Sequence, residues 1–402
     1  MRAVVAVATL AMTVSYIDRQ TMAALGPTVK RALSLDNAEW GDLTSAFSIA
    51  YLACAPLAGM LVDRAGARRG LALAVIVWSA VAGLHAAAPA FAALFVLRIL
   101  LGVAESPTYP AAARCVGAVA PVRSRSAALA WLFTGSSVGA AVAGPAAIWL
   151  LQRTGSFRFA FAGIALLGLA YVPLFWKVTG HASVEPLVEK REAGSGAGSM
   201  TRLFALLREP AVLRTCVLVV TSAPAIMLVL NWGPQLLESQ LGVPQLEQAK
   251  YVWAPPLAFD AGAVAFGALA SRRDRIGGRW TDLVFLAALL EGTLAFVAGT
   301  RNPVIGILLC STSMAGGGGL YALAAADLFR QIGLARAGAS GGLAAAAQSL
   351  AYIVAAPIVG KVLDRTHTYH DVLVTLGAIA IPGALAWSAW PSKPREPRSS
   401  QL

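Results

Sequence analysis

The sequence predicts an all-α membrane protein, with twelve transmembrane helices arranged as two six-helix bundles. Three observations carry that expectation. The 402-residue chain is 57% hydrophobic and only 13% charged, with a mean hydropathy of +0.67; a soluble domain carries about twice that charge. The apolar residues fall in blocks of roughly 20, the length that crosses a ~30 Å hydrocarbon core. One long polar interruption, residues 179–209, divides the blocks six and six.

The spans run near 3–29, 38–62, 70–88, 91–113, 125–152, 157–178, 211–236, 246–270, 280–300, 303–328, 339–363 and 370–390. The opening "MRAVVAVATLAMTV" has the order of a signal peptide. No small-residue cleavage site with a soluble domain behind it follows, so it reads as the first span. Within the interruption, "VEKREAGSGAGS" is charged and then Gly/Ser-rich, the composition of a flexible linker. The expected organisation is an N-terminal bundle over 1–178, a cytoplasmic linker over 179–209, a C-terminal bundle over 210–392 and a tail over 393–402.

A net charge of +12 raises the question of a nucleic-acid partner. The distribution of that charge argues against one. With the N-terminus in the cytoplasm, 22 of the 32 Lys and Arg fall in inner loops, linker and tails, eight fall outside, and Arg19 and Arg98 lie within spans. This is the orientation signal of a bacterial inner-membrane protein with both termini inside. Cys54, Cys115, Cys216 and Cys310 lie in separate segments without metal-ligand spacing, and read as packed or lipid-facing thiols. No G-x-x-x-x-G-K-[ST], H-E-x-x-H or C-x-x-C occurs, which argues against ATP-driven transport and metal hydrolysis, and no cofactor is expected. "GMLVDRAGARR" (59–69) follows the second span and "GALASRRDRIGGR" (267–279) follows the eighth. Repeated halves of this kind suit a transporter built around a midplane site.

The first span contains "SYIDRQ" (15–20). Placing Asp or Arg in mid-bilayer costs about 2.5–3.5 kcal/mol each, so such residues face a protein interior or a wet cavity. At about 100° per residue, Thr13, Tyr16, Arg19 and Gln20 share one broad face, while Asp18 points towards a neighbouring helix. A buried ion-pair network that only holds helices together is the competing reading, and it is an expensive one. In the fourth span, "RILLGVAESPTYP", Arg98, Gly102, Glu105 and Tyr109 share a face, with Arg98 and Glu105 about 10 Å apart along the axis. Pro107 and Pro110 loosen the helix just beyond Glu105. A carboxyl so placed can exchange a proton, in competition with a nearby Arg that is free to bind an anion.

The second half is less charged. Asp260, in "PPLAFDAG", is its clearest intramembrane acid, with Trp253 on the same face. Asn231 and Trp232 interrupt the seventh span, and Gln348 and Tyr352 stand i, i+4 in the eleventh. Polar and aromatic groups of this type suit a hydroxyl-rich ligand, or simply bond helix to helix. Glu291 and Asp327 read as nearer helix ends, Asp327 as a cap or gate. The glycines of 135–145 and 316–319 read as close helix packing, with a hinge at 316–319 as the alternative. Asp63, Arg64, Arg68 and Arg69 in the basic turn are candidates for a charge latch between gating states, or mere positive-inside bias.

"GMLVDRAGARR" resembles the signature loop between the second and third helices of the major facilitator superfamily. "YIDRQTMAAL" (16–25) and "RILLGVAESPTYPAA" (98–112) resemble its anion:cation symporter branch, and "PLAFDAGAVAFGAL" (256–269) is similar to hexuronate-transporter-like members. The resemblance covers all twelve spans. It implies the major facilitator fold, no enzymatic activity and protons as the coupling ion. It further implies that Asp18 and Glu105 are the protonation pair, and that Arg19, with Tyr16 and Tyr51, meets the substrate carboxylate. Arg98 corresponds to the basic residue before the fourth-helix acid.

The expected function is therefore proton-coupled symport of an organic anion, such as a hexuronate or aldonate, by alternating access. Asn231, Asp260, Gln348 and Tyr352 would shape the sugar end, and Asp63, Arg64 and Arg68 the gate. The expected partners are that small anion, protons and the lipid bilayer, with the chain acting as a monomer. A monocarboxylate or aromatic-acid carrier is one alternative. An antiporter is another, since the fifth-span "AGP" is similar to an antiporter signature. A membrane-embedded enzyme or sensor using the acids has neither nucleophile nor metal to support it.

Overall fold

The computed structural model describes residues 1–121, 124–181, 184, 208–275, 278–332 and 337–390. The linker residues 185–207 and the tail 391–402 lie outside the described residues, as does the side chain of Asp63.

The first half begins with α1 (Arg2–Leu33), which closes on Ser34 in the left-handed conformation at φ 53°. Helix α2 (Asn37–Ala65) follows after a tight turn. Asp36 and Glu39 form a reciprocal capping box at its start, Glu39 N donating to Asp36 Oδ1 at 2.7 Å and Asp36 N to Glu39 Oε2 at 3.1 Å. Next come α3 (Ala67–Leu84), continued by a 3-10 turn, and α4 (Phe91–Glu105). Pro107, which cannot donate to the helical ladder, separates α4 from α5 (Thr108–Val119). The half ends with α6 (Arg125–Thr154) and α7 (Phe157–Thr179).

The second half comprises α8 (Pro210–Met227), a π-helical turn over Leu228–Trp232, α9 (Gly233–Ser239) and α10 (Ala254–Arg275). It continues with α11 (Thr281–Gly292), α12 (Pro303–Ile332), α13 (Ala337–Thr366), α14 (His370–Ala378) and α15 (Ala380–Ala389). Ten segments are long and apolar enough to cross a membrane, counting α4 with α5, α8 with α9 and α14 with α15 as one each. Helices α1 and α2, of 32 and 29 residues, are long enough to cross as well, and with them the described residues hold twelve candidate spans.

The packing of the second half repeats that of the first, six spans on. Helix α1 lies against α6, α2 against α4, and α3 against α7; correspondingly α8 lies against α13, α10 against α12, and α11 against α15. Glycines set several of these contacts. A Cβ at Gly102 on α4 would stand 2.4 Å from the Phe47 carbonyl oxygen of α2, and one at Gly318 on α12 would stand 2.0 Å from the Phe259 carbonyl oxygen of α10. The run Gly316–Gly319 is helical throughout and packed on both sides, against Glu291 and Phe266 among others.

The halves are joined at the end carrying the α1–α2 turn. Asp364 of α13 accepts there from Asn37 N at 3.0 Å, Asn37 Nδ2 at 2.8 Å and Ala38 N at 2.8 Å, so an acid of one half caps a helix of the other. Arg31 pairs with Glu238 at 2.7 Å, Gln245 Nε2 donates to the Ala24 carbonyl at 2.9 Å, and Ser45 Oγ donates to the Ile353 carbonyl at 3.0 Å. Nearer the middle, Ser137 Oγ on α6 donates to Asp260 Oδ1 on α10 at 2.7 Å.

Candidate functional site

The α1 stripe and the α4 stripe meet. Arg19 Nη2 lies 2.7 Å and Nε 3.2 Å from Glu105 Oε2, an ion pair whose acid is fully buried while the arginine side chain is 21% exposed. Ser15, one turn before Arg19, donates to the same Oε2 at 3.1 Å, and Glu105 Oε1 has no partner. Gly102 lets this happen: without a side chain there, α4 approaches α2 closely enough to bring Glu105, one turn on, up to α1.

Aromatic rings surround the guanidinium. Arg19 Cζ sits 4.7 Å from the ring centroids of both Tyr16 and Phe47 and 5.1 Å from that of Tyr51. Phe47 also meets Arg98, 5.6 Å from its Cζ, and stacks on Tyr51 at 5.9 Å. Arg98 is buried with Nε unpartnered, and its charge acts on Glu105 and Arg19. Asp18 turns away from this group to α3, where its Oδ2 accepts from Trp78 Nε1 at 2.9 Å and its Oδ1 has no partner. The result is a partly exposed cation, an acid that its ion pair only half satisfies, and a second buried acid one layer behind.

From the second half, Tyr352 comes within electrostatic range of Tyr16 and Arg19, and Gln348 Nε2 bonds its hydroxyl at 3.3 Å. Asp260 is half-buried and engaged with Ser137 at the seam between halves. Asn231 stands on the π-helical turn, its carbonyl accepting from Trp40 Nε1 on α2 at 3.4 Å. Tyr16, Tyr51, Arg19, Arg98, Glu105, Gln348 and Tyr352 thus form one group, and Asp260 and Asn231 belong to the joint between the halves. In the basic turn, Arg64 is exposed. Arg68 is buried against α7 of its own half, with Nε donating to Thr179 Oγ1 at 3.1 Å and its guanidinium 4.2 Å from the Trp176 ring.

Sequence reading missed several participants. Ser15 lies i−4 from Arg19, and Phe47 lies i−4 from Tyr51, so helical periodicity carried both signals. Trp78 gave none. One expectation is corrected. Trp253 lies just before α10 and is 46% exposed, rather than sharing a helix face with Asp260, its indole donating to the Lys250 carbonyl at 3.0 Å. Glu291 stands in the last turn of α11, near a helix end as expected, and is fully buried inside the second half. Asp327 is likewise buried, paired with Arg214 at 3.1 Å and Arg330 at 3.0 Å.

A family model, the Major Facilitator Superfamily, matches residues 8–356. Among curated proteins, the hexuronate transporter of Bacillus subtilis (strain 168) is 26% identical over 390 residues, 94% of this chain and 91% of its own. The D-galactonate transporter of Escherichia coli O6:H1 is 25% identical over 401 residues, 94% of this chain and 92% of its own. Among solved structures, a bacterial homologue of the human lysosomal transporter Spinster, inward-facing and unoccupied, superposes with a TM-score of 0.74 at 16% identity, covering 96% of this chain and 93% of that one.

Proposed function

Because the chain belongs to the Major Facilitator Superfamily, we propose that it is a proton-coupled symporter of a sugar acid, a hexuronate or an aldonate, working by alternating access between its two halves. The Arg19–Glu105 pair carries this reading. A substrate carboxylate that reaches the partly exposed Arg19 side chain competes with Glu105 for its Nε and Nη2 donors. Glu105 is fully buried, and leaving a buried charge without its partner costs about 3–5 kcal/mol. Taking up a proton removes that cost. Anion binding and proton uptake are thereby one event, and Asp18 supplies a second carboxyl within reach of the Glu105 field.

The sugar hydroxyls fall to Gln348 and Tyr352, with Asn231 and Asp260 reached as the halves move. The names of the relatives support the substrate class. In the bacterial inner membrane, with both termini cytoplasmic, the joined α1–α2 end faces outward, so this conformation is closed to the outside. The turn holding Asp63, Arg64 and Arg68 is the gate of the opposite side, and a single chain suffices for transport. Proteoliposomes loaded with this protein and given an inward proton gradient test the reading. Wild type is expected to accumulate labelled D-glucuronate, and Glu105→Gln to lose the response to the gradient. Uptake indifferent to the gradient and unaffected by that substitution would sink it.

A further inference from the structure

Glu291 on α11 has no part in the cycle just described, yet its surroundings are specific. Its side chain is fully buried. Oε1 accepts from Ser222 Oγ on α8 at 2.8 Å, and Oε2 has no partner. Helix α12 presses bare backbone against it: a Cβ at Gly316 would stand 2.3 Å from Glu291 N, and one at Gly317 3.5 Å from Glu291 Oε1.

Among the described residues, no cation offsets this acid. Its one polar contact is Ser222, and no charged side chain of α8, α10, α12, α14 or α15 acts on it among the described residues. The titratable groups that feel its field are the phenols of Tyr321 on α12 and Tyr352 on α13, and the Tyr321 hydroxyl is itself buried without a partner. An ionised carboxylate in such a place costs several kcal/mol, and one neutral hydroxyl does not repay that.

The first half contains the same device with donor and acceptor exchanged. There the acid, Asp18, is on the first span and its donor, Trp78, on the third. In the second half the donor, Ser222, is on the first span and the acid, Glu291, on the third. Each acid is buried, takes one neutral donor and leaves one oxygen unbonded. Two halves that pack alike therefore each hold an uncompensated carboxyl between corresponding spans.

We propose that Glu291 is a proton-binding site of the second half, holding a proton in this closed conformation and exchanging it as α8, α11 and α12 part. The site lies beyond the sugar-acid reading and does not depend on it. Infrared difference spectroscopy of the full chain in nanodiscs, taken from acid to alkaline pH with no substrate added, tests it directly. Wild type is expected to show a protonated-carboxyl band that disappears at alkaline pH and is absent from Glu291→Gln. Ser222→Ala, which deletes only the hydroxyl donor, should shift that band and guards against a Gln variant that folds poorly. A band that persists at every pH, or that neither substitution alters, overturns the proposal. If the Glu291 band titrates while D-glucuronate carries no protons in proteoliposomes, the transport reading falls and this site stands.

Discussion

The carboxylate of Asp364 on α13 caps the first turn of α2 across the boundary between halves, accepting from the backbone N–H groups of Asn37 and Ala38 at 3.0 and 2.8 Å. Helix starts favour anions, because their first N–H groups lack intrahelical partners. Hydrogen bonds to a charged acceptor contribute about 1.5–3 kcal/mol each. Asp364→Ala should therefore raise the open-to-closed ratio at this end by roughly 10-fold or more. Ser45→Cys, at a buried position of the same joint, provides the readout. Its alkylation, followed by mass spectrometry of the residue 45 peptide, is expected to accelerate in the Asp364→Ala background. An unchanged rate would show that the cap does not hold the joint shut.

Gly102 sets the distance between α4 and α2. A Cβ there meets the Phe47 carbonyl oxygen at 2.4 Å and Tyr51 N at 3.0 Å, both backbone atoms that cannot rotate away. Gly102→Val should cost about 1–3 kcal/mol through overpacking and carry Glu105 away from Arg19. Thermal unfolding in detergent is expected to move to lower temperature. A wild-type Tm for the variant would mean that α4 yields more easily than its close contacts imply.

Arg19→Lys keeps the positive charge and removes the planar fork and its stacking on Tyr16, Phe47 and Tyr51. Lysine is a point charge with a strong hydration demand, so the exchange is not conservative. The affinity for D-glucuronate, measured by equilibrium binding to purified protein, is expected to fall about tenfold or more, equivalent to ~1.4 kcal/mol. Binding equal to wild type would show that charge alone recruits the anion.

Trp78→Phe removes the donor to Asp18 Oδ2 and leaves both carboxyl oxygens unbonded, since Oδ1 already has no partner. Leaving a buried acceptor unsatisfied costs about 1–3 kcal/mol. The variant should unfold at lower temperature, and Trp78→Phe combined with Asp18→Asn should lose little more than either change alone. Strict additivity of the two losses would show that they act independently.

The spans were legible because they obey a local rule. Twenty apolar residues cross a bilayer whatever their neighbours do, and most stretches read from sequence match the helices within a few residues, the eighth (246–270) being displaced from α10 (Ala254–Arg275). The faces of α1 and α4 were also legible, since helical periodicity alone aligns Arg19 with Tyr16 and Glu105 with Arg98. What joins them was not. Arg19 and Glu105 are 86 positions apart, and Ser137 and Asp260 are 123 apart, so their pairings follow from the packing of whole helices. Glu291 shows the limit most clearly. From the sequence alone Glu291 reads only as lying near a helix end, with no sign of what packs over it. It is buried because Gly316, far along the chain, lets α12 close over it. The π-helical turn at Leu228–Trp232 was visible only as an interruption by Asn231 and Trp232.

The three rings around Arg19 have a consequence for selectivity. Ring faces within 4.7–5.1 Å take the place of part of the guanidinium's water shell before any solute arrives. A compact inorganic oxyanion such as sulfate must shed much of its own tightly held water to fit against such a surface. A carboxylate on a carbon skeleton sheds less and offers the rings something to lie against. On the proposed reading, a site built around Arg19 would sort solutes by how willingly they give up water as well as by charge.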